Sequence, residues 1–373
     1  MKTSDKPSAE TQAPCRVTLP SSPLLTGIGS LPHPHYPTAL EWSFQLSLPF
    51  LPQIPRRSPW EGMIPQALEG FPGLMLTGTK KVTLNWTHWQ QQAETLSEQL
   101  KIAFDSCGTS AGDFGLKTHP ESLQAFEPTP QSMSCWHPFL WELGERGHAL
   151  AKIQILGPLT APWALSLENA PRQAPLVELH TQVHQFLLAR ALAMTHAFLR
   201  RGITPLIFLD EPGLLVVNFK DSKGALALSE LKLFIQTLQA HGAIVGLHCC
   251  GQADWDSILK LPLDVLSLDT SQCLPQALQC SGAQAFSHFL KNGGRLALGI
   301  IPTTAEAGLE VIRGKKLASS LLHLLEASFD ASVLAQIRTQ SLLTPACGLA
   351  TRSLAEADWV FRQLKEAHAN FSL

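Results

Sequence analysis

The sequence predicts an α/β fold in which eight parallel strands and their helices form a (β/α)8 (TIM) barrel. Short apolar runs alternate along the chain with longer stretches of helical period. The runs are apolar on both faces, which is typical of a parallel sheet covered by helices. There are eight such runs, the number that closes a barrel of this kind. An open, doubly wound sheet is the alternative with the same pattern.

Each predicted strand is a short apolar run that stops at a turn-forming residue. In chain order the strands are Leu24–Ser30, Leu48–Ile54, Ala151–Gly157, Thr204–Asp210, Ala243–Cys249, Asp264–Asp269, Arg295–Ile301 and Ser341–Ala346.

The stretches between the strands carry apolar residues at three- and four-residue spacing, which predicts amphipathic helices. The clearest are Leu176–Gly202, Ser229–Gly242 and Ser353–His368. The second begins at a serine and closes on a glycine, as a capped helix does.

The pattern predicts one barrel domain over residues 21–373. Residues 1–20 are polar, rich in Pro, Ser and Thr and without periodicity, so we expect a flexible leader. Residues 72–150 do not follow the repeat and are interpreted as an insertion after the second strand. No linker divides the chain into two domains.

The amino-acid composition and net charge limit the kinds of molecule that the protein is expected to bind. The chain has 373 residues, 45% of them hydrophobic, and a formal net charge of -2, which favours neither nucleic acid nor a membrane surface as partner. No stretch reaches the roughly 18 apolar residues of a spanning helix, and no secretory signal opens the sequence. We therefore expect a cytoplasmic protein with a small-molecule partner, whose eight cysteines are mostly reduced.

Metal-binding residue types fall at predicted strand ends, where barrel active sites are built. His248, Cys249 and Cys250 end the fifth strand, Asp269 ends the sixth, and Cys347 follows the eighth. Side chains two residues apart on a strand share a face, so His248 and Cys250 can bind one metal ion while Cys249 packs on the other side. One histidine with two cysteines is a ligand set that suits zinc. Burial as core filler is the alternative reading of these cysteines.

Six short motifs occur in an order that resembles a known family. They are "IGS" near the start, "ILGPLTAPW" (Ile155–Trp163), "FLDEPGL" (Phe208–Leu214), the H-x-C of "LHCCG", "LDVLSLDTS" (Leu263–Ser271) and "CGLATR" (Cys347–Arg352). Together they make the chain similar to the C-terminal domain of cobalamin-independent methionine synthases. That superfamily also contains uroporphyrinogen decarboxylase and corrinoid-linked methyltransferases.

The resemblance implies a zinc-dependent transfer of a methyl group to a thiol such as homocysteine, as in methionine biosynthesis. It implies His248, Cys250, Asp269 and Cys347 as zinc ligands, although the family has glutamate where this chain has Asp269. It also implies that Asp210 holds the ammonium group of the amino acid substrate.

The same resemblance implies that Ile28, Gly29 and Ser30 hold the substrate's carboxylate. For this segment and for Asp210 the chemistry is reasonable, because backbone groups and a hydroxyl can bind a carboxylate, and a carboxylate can bind an ammonium group.

The methyl donor is expected to be a methyl-corrinoid, carried by a corrinoid protein, and not a folate. The two-domain methionine synthases have an N-terminal half that helps to bind folate, and a folate-contacting glutamate six residues beyond the D-E-P aspartate; here that position is Val216. The glycine that follows H-x-C in "HCCG" resembles the corrinoid-linked relatives. Trp163 offers an indole on which a flat donor could stack.

Two other functions agree with parts of the sequence. A decarboxylase of the uroporphyrinogen type needs no metal and holds propionates with arginines, for which Arg56 and Arg57 are candidates. A non-catalytic metal-binding barrel is the second alternative.

Overall fold

The main sheet of the protein is parallel and has seven strands. The computed structural model describes residues 18–78, 81–105, 120–165, 170–304 and 311–371. The strands stand in the order β1-β9-β8-β7-β6-β5-β4, and β2 and β3 form a separate antiparallel hairpin. Their bounds are Leu24–Leu25 (β1), Leu74–Thr77 (β2), Lys81–Leu84 (β3), Leu150–Leu156 (β4), Thr204–Asp210 (β5), Ile244–Cys249 (β6), Val265–Asp269 (β7), Arg295–Ile301 (β8) and Leu342–Pro345 (β9).

Helices cover one face of this sheet. The α-helices within the described residues are Tyr36–Ser43 (α1), Met63–Leu68 (α2), Trp86–Asp105 (α3), Pro120–Leu123 (α4), Trp136–Glu145 (α5), Thr160–Ala164 (α6), Leu176–Leu199 (α7), Ser222–Ala240 (α8), Trp255–Ile258 (α9), Leu274–Lys291 (α10), Gly314–Ser328 (α11), Ala331–Gln340 (α12) and Leu354–Phe371 (α13). None of these helices is both long enough and apolar enough to span a bilayer.

The two faces of the sheet belong to two separate hydrophobic clusters. Ile207 and Leu209 of β5 join the large cluster beneath the helices, whereas Leu206 and Phe208 join a small cluster with Ile244 and other residues. We call the face of the small cluster the inner face. Because side chains alternate along a strand, this face continues to the last residue of β5 and to its partners on β6 and β7.

Seven of the eight predicted strands are present, and β1 is reduced to two residues. The predicted second strand, Leu48–Ile54, is wrong as a regular strand: it makes only isolated parallel bridges, Phe50 with Lys152 and Ser30 with Gln53. Prolines at positions 49, 52 and 55 explain this, because proline has no N–H to donate to a ladder.

The segment 48–53 still hydrogen-bonds toward both ends of the sheet. Leu51 N–H donates to Lys152 O at 2.9 Å, and Gln53 N–H donates to Gly29 O at 3.0 Å. The fold is therefore a curled parallel half-barrel with helices, compatible with the predicted (β/α)8 barrel but with an irregular segment in place of an eighth strand.

The predicted helices are present with shifted boundaries. The helix predicted to begin at Ser229 begins at Ser222, because the Asp221 carboxylate caps it by accepting the Gly224 N–H at 2.8 Å. The region interpreted as an insertion, 72–150, holds the β2–β3 hairpin and α3 to α5. Trp89 of α3 ties it to α7 through a bond from Nε1 to Gln182 Oε1 at 2.8 Å. Residues 1–17 of the predicted leader lie outside the described residues.

Two histidines meet at the C-terminal ends of α7 and α8. His196 Nε2 lies 3.1 Å from His241 Nδ1, and His241 Nε2 is buried without a hydrogen-bond partner in the described part of the chain. Burial, with the neighbouring His196, lowers the pKa of His241 from 6.5 to about 4. The unfolded chain therefore takes up a proton near pH 6.5, whereas the folded protein takes it up only near pH 4.

We expect His241→Asn to reduce the acid sensitivity of folding. The stability that the neutral imidazole contributes is complete above pH 6.5 and is lost as the pH falls toward 4, on the order of 2–3 kcal/mol in total. Urea unfolding of wild type and variant across this range measures the difference. His323→Asn, at a histidine whose side chain is 82% exposed, is the control. If the unfolding free energies of wild type and His241→Asn fell in parallel as the pH was lowered, His241 would not be the source of the acid sensitivity.

Candidate metal centre

Three potential metal ligands converge at the carboxyl end of the sheet. Ligand atoms of His248, Cys250 and Cys347 all lie within 4.8 Å of one another. His248 and Cys250 come from the end of β6, and Cys347 comes from the segment after β9. The structure therefore brings together three of the four residues that the sequence analysis predicted as metal ligands.

The alternation along β6 explains why Cys249 does not belong to this group. Cys249 is 1% exposed and lies in the large cluster beneath the helices, with its Sγ 3.5 Å from Gly251 O. Its neighbours on either side, His248 and Cys250, are turned to the inner face. This is the packing role that the two-residue period predicts for Cys249.

Tight backbone packing brings the Cys347 segment to the site. Ala346 N–H donates to Ile301 O at 2.8 Å, which continues β9 along β8. Gly348 then lies against Ser30: a Cβ atom at Gly348 would stand 2.0 Å from Ser30 Oγ. Only glycine permits this approach, so "CGL" and "IGS" are in direct contact.

The hydrogen bonds of His248 leave one ring nitrogen for a metal. His248 Nδ1 lies 2.9 Å from Ser267 Oγ on the neighbouring strand β7. His248 Nε2 is buried and has no hydrogen-bond partner among the described residues. Partners of this kind fix the orientation and tautomer of a metal-binding histidine.

The geometry of the two sulfurs matches zinc. Cys347 Sγ and Cys250 Sγ are 3.8 Å apart, and two sulfurs at about 2.3 Å from a tetrahedral zinc ion are separated by about 3.8 Å. The Cys347 thiol donates to Cys250, and this hydrogen bond lowers the pKa of the Cys250 thiol. A lowered thiol pKa favours the thiolate, which is the protonation state that binds metal. The residues present fit a zinc ion with one position left for a substrate.

Asp269, predicted as the fourth ligand, is not in the group of three. It is at the end of β7 as expected, but its Oδ1 accepts hydrogen bonds from Ser271 N–H, Ser271 Oγ and Gln272 N–H at 2.7 to 3.0 Å. The short aspartate arm is thus engaged with its own turn. Its role as a ligand stays a prediction that this geometry does not support.

Asp210 is a buried carboxylate next to the ligands. It is the sheet partner of His248, is 8% exposed, and its Oδ1 has no hydrogen-bond partner in the described chain. Burial raises its pKa to about 6. A cavity of about 10 Å³, the space of one water molecule, lies beside it and is also lined by Gln53, Gln66, Gln154 and the buried Arg190.

The segment Ile28–Ser30 has all of its carbonyl groups fixed. Ile28 O accepts from Lys152 Nζ, Gly29 O accepts from Gln53 N–H, and Ser30 O accepts from Leu349 N–H. Among the described residues, none accepts a hydrogen bond from the three N–H groups of this segment. Free N–H groups near a serine hydroxyl can bind a carboxylate.

Glu211 is a structural carboxylate that the motif "DEPG" did not reveal. It accepts hydrogen bonds from the Leu159 N–H at 2.8 Å, the Thr160 N–H at 2.9 Å and Thr160 Oγ1 at 2.6 Å. A Cβ atom at Gly157 would lie 2.2 Å from this carboxylate, so the glycine of "GPLT" is needed for the contact. Burial raises the pKa of Glu211 to about 7.

This contact places α6, and with it Trp163, at the edge of the site. Trp163 is 66% exposed and Val216, in the turn after β5, is also 66% exposed. The Leu215 side chain packs against Gly251 of the "HCCG" segment. A Cβ atom at Gly251 would lie only 2.9 Å from it. Trp163, Leu215 and Val216 therefore form an exposed apolar rim on the turns that follow β4 and β5, in contrast to the buried Asp210.

Lys152 is the second residue that the sequence analysis missed. It is fully buried on β4, where burial lowers its pKa to about 7 against the opposing effect of Asp210. Lysine and glutamine at positions 152 and 154 interrupt an apolar strand at two-residue spacing, a pattern that indicates polar groups on one face. Ser267, at the same spacing before Asp269, could have been identified in the same way.

The two arginines of the decarboxylase alternative are engaged elsewhere. Arg57 lies 2.5 Å from Glu61 in an ion pair, and Arg56 donates to Arg352 O at 2.7 Å. Neither contacts the group of three ligands in the described structure.

The known proteins that this chain resembles are solved structures at low sequence identity. No protein-family model matches the chain, and no curated protein matches its sequence. Among solved structures, a B12-independent methionine synthase from Shewanella sp., in complex with selenomethionine, is 16% identical with a TM-score of 0.44; the match covers 62% of this chain and 65% of that one, less than two thirds of its length.

A putative vitamin-B12-independent methionine synthase from Listeria monocytogenes is 14% identical with a TM-score of 0.42, over 78% of this chain and 88% of that one. Because both TM-scores are below 0.5, these likenesses assign neither fold nor function.

We expect His248→Ala, Cys250→Ala and Cys347→Ala each to lower zinc content from about one ion per chain to a small fraction, because two ligands hold the ion far more weakly than three. Cys249→Ala is the matched control and should keep the metal. Elemental analysis of the purified proteins after dialysis against a weak chelator gives the answer. Loss of zinc in Cys249→Ala, with zinc retained in Cys250→Ala, would mean that the strand faces are assigned the wrong way round.

Proposed function

We propose that this chain is a zinc-dependent methyltransferase that acts on the thiol of homocysteine or a similar amino acid, in the manner of a methionine synthase. The observation that carries the proposal is the group His248, Cys250 and Cys347 beside the unpartnered carboxylate of Asp210. The motif order of the sequence supports the same activity on a (β/α)8-type scaffold.

His248, Cys250 and Cys347 are the residues that would hold the ion. The chemistry that zinc supplies when bound is a lowered thiol pKa, so that the substrate sulfur is a nucleophilic thiolate at neutral pH. Ser267 contributes by holding His248 Nδ1 and leaving Nε2 for the metal. His248 and Asp210 are buried, which limits water on their side of the sulfur.

The other end of the substrate would be bound by two groups of opposite character. Asp210 Oδ1 offers a buried negative charge without a hydrogen-bond partner among the described residues, which an ammonium group would supply. The free N–H groups of Ile28–Ser30, next to the Cys347 segment, would donate hydrogen bonds to the carboxylate. An amino acid bound by both ends has its thiol directed to the metal ligands.

We expect Asp210→Asn to weaken homocysteine binding at least about tenfold while zinc content stays unchanged, because the lost charge faces the ammonium group and not the metal. Calorimetry of homocysteine binding to zinc-loaded protein measures the effect. Asp221→Asn is the control, since asparagine also caps a helix and Asp221 stands at the start of α8. Equal affinities of wild type and Asp210→Asn would point to a different thiol substrate.

The methyl donor that the site favours is a methyl-corrinoid. Val216 cannot replace a carboxylate that accepts hydrogen bonds from the N–H groups of a pterin ring, and a lost bond of this kind costs on the order of 1.5–3 kcal/mol. The exposed apolar rim with Trp163 and Val216 leaves room for a large flat carrier. A corrinoid protein is the partner that would present it.

The assay for this function supplies zinc-loaded protein and homocysteine with methylcobalamin or with methyltetrahydrofolate, as mono- and triglutamate. We expect methionine to form faster with the corrinoid, by roughly ten- to a hundredfold. Faster turnover with folate would place the protein among folate-dependent methionine synthases. No methyl transfer from either donor would support the non-catalytic alternative, and a protein that purifies without zinc would support the decarboxylase alternative.

A further inference from the structure

Lys152 is a buried cation with an unusual set of contacts. Its side chain is fully buried on the inner face of β4, where Nζ donates to Ile28 O at 2.5 Å and to Gln154 Oε1 at 3.2 Å. The same nitrogen lies 4.6 Å from the centre of the Phe208 ring. The ammonium group therefore has three partners, and one of these partners is a backbone carbonyl of the "IGS" segment.

The bond to Ile28 O determines where the next N–H points. In a trans peptide the C=O of one residue and the N–H of the following residue point in opposite directions. When Lys152 holds the Ile28 carbonyl, the Gly29 N–H must face away from Lys152. The Gly29 carbonyl is bound by Gln53 N–H, so the direction of the Ser30 N–H is fixed in the same way.

Gly29 is required for this arrangement. A Cβ atom at Gly29 would lie 2.5 Å from the side chain of Gln154, the residue that also accepts from Lys152 and donates to Leu51 O. The peptide, the lysine and the glutamine are therefore packed as one unit, with no room for a larger residue at position 29.

We propose that Lys152 is a positioning residue that orients and polarises the Ile28–Gly29 peptide to bind the carboxylate of the substrate. A cation at the carbonyl end of a peptide strengthens the N–H at its other end as a hydrogen-bond donor. Lys152 itself does not touch the substrate in this arrangement. This inference rests on the proposed function, because it concerns the carboxylate of the same amino acid substrate.

The charge balance of the site explains why a lysine is buried here. Burial of a lone ammonium group is costly, and an apolar residue of similar length would remove that cost. Asp210 is the opposite charge that acts on Lys152. A zwitterionic amino acid carries the same two charges in complementary places: its ammonium group pairs with Asp210, and its carboxylate binds the N–H groups that Lys152 polarises. The pair of buried charges thus selects an α-amino acid over a simple thiol.

The test compares two thiols that differ only in the carboxylate. L-homocysteine and 3-aminopropane-1-thiol share the thiol, the chain and the amine. Calorimetry on zinc-loaded wild type and Lys152→Met gives, for each protein, the ratio of its affinities for the two thiols. We expect wild type to prefer homocysteine by at least about tenfold and Lys152→Met to lose most of that preference, with zinc content and affinity for the aminothiol unchanged. A merely structural lysine would, when replaced, weaken both thiols alike and leave the ratio as it was.

Lys152→Gln is the second variant, used where Lys152→Met does not fold. Its amide keeps a donor for Ile28 O without the charge, so an intermediate ratio is expected. Lys260→Met, at an exposed lysine, controls for the change in net charge. An undiminished preference for homocysteine in a folded Lys152 variant would overturn this inference and leave the proposed function standing. Wild type that binds neither thiol would refute the proposed function, and this inference with it.

Discussion

The common direction of the strands is the constraint on which the candidate site depends. Because β5, β6 and β9 are parallel, their carboxyl ends stand at one edge of the sheet. The two-residue alternation then places Asp210 and His248 side by side on the inner face, as Cα partners in adjacent strands. A shift of β6 by one residue would exchange His248 and Cys250 for Cys249 and break up the group.

Elements whose signal is local were predictable from the sequence. Seven strands are continuous apolar runs, because a strand buried on both faces needs no alternation. The predicted second strand failed because prolines 49 and 52 remove ladder donors while leaving the run apolar. The predicted start of α8 was wrong because Asp221 caps a helix that begins at Ser222, seven residues before Ser229. Ser229 lies within the helix, with its hydroxyl bonded to Leu226 O.

Residues that depend on distant parts of the chain were harder to predict. The shared face of His248 and Cys250 follows from spacing alone, but Cys347 is 97 residues beyond Cys250 and joins it only through the order of the strands. In the sequence analysis, Cys347 was grouped with Cys250 because the motifs that contain them occur in the order of a known family. Asp269 stands where the motif predicts, yet its carboxylate binds backbone N–H groups of its own turn, a competition that a strand-end position does not reveal. Lys152 was missed because its partner is a backbone carbonyl 124 residues away.

The two sides of the site are built differently, and this has a chemical consequence. The side that would bind the acceptor is buried and fixed: Asp210, Lys152 and the Ile28–Ser30 segment are held by neighbouring strands, and the Ile28 and Gly29 carbonyls are bound so that two N–H directions are set before any ligand arrives. Binding such an acceptor costs little reorganisation, which favours selectivity for one amino acid.

The donor side presents exposed apolar side chains, Trp163 and Val216, on short turns held by Glu211 and Leu215. Such a rim provides apolar contact surface without directional hydrogen bonds, so it has low specificity for the chemical identity of the carrier. Under the proposed function, recognition of the thiol and recognition of the methyl carrier would therefore be separable. A change of donor would then require changes only at the rim, while the buried charges and the three proposed metal ligands stay as they are.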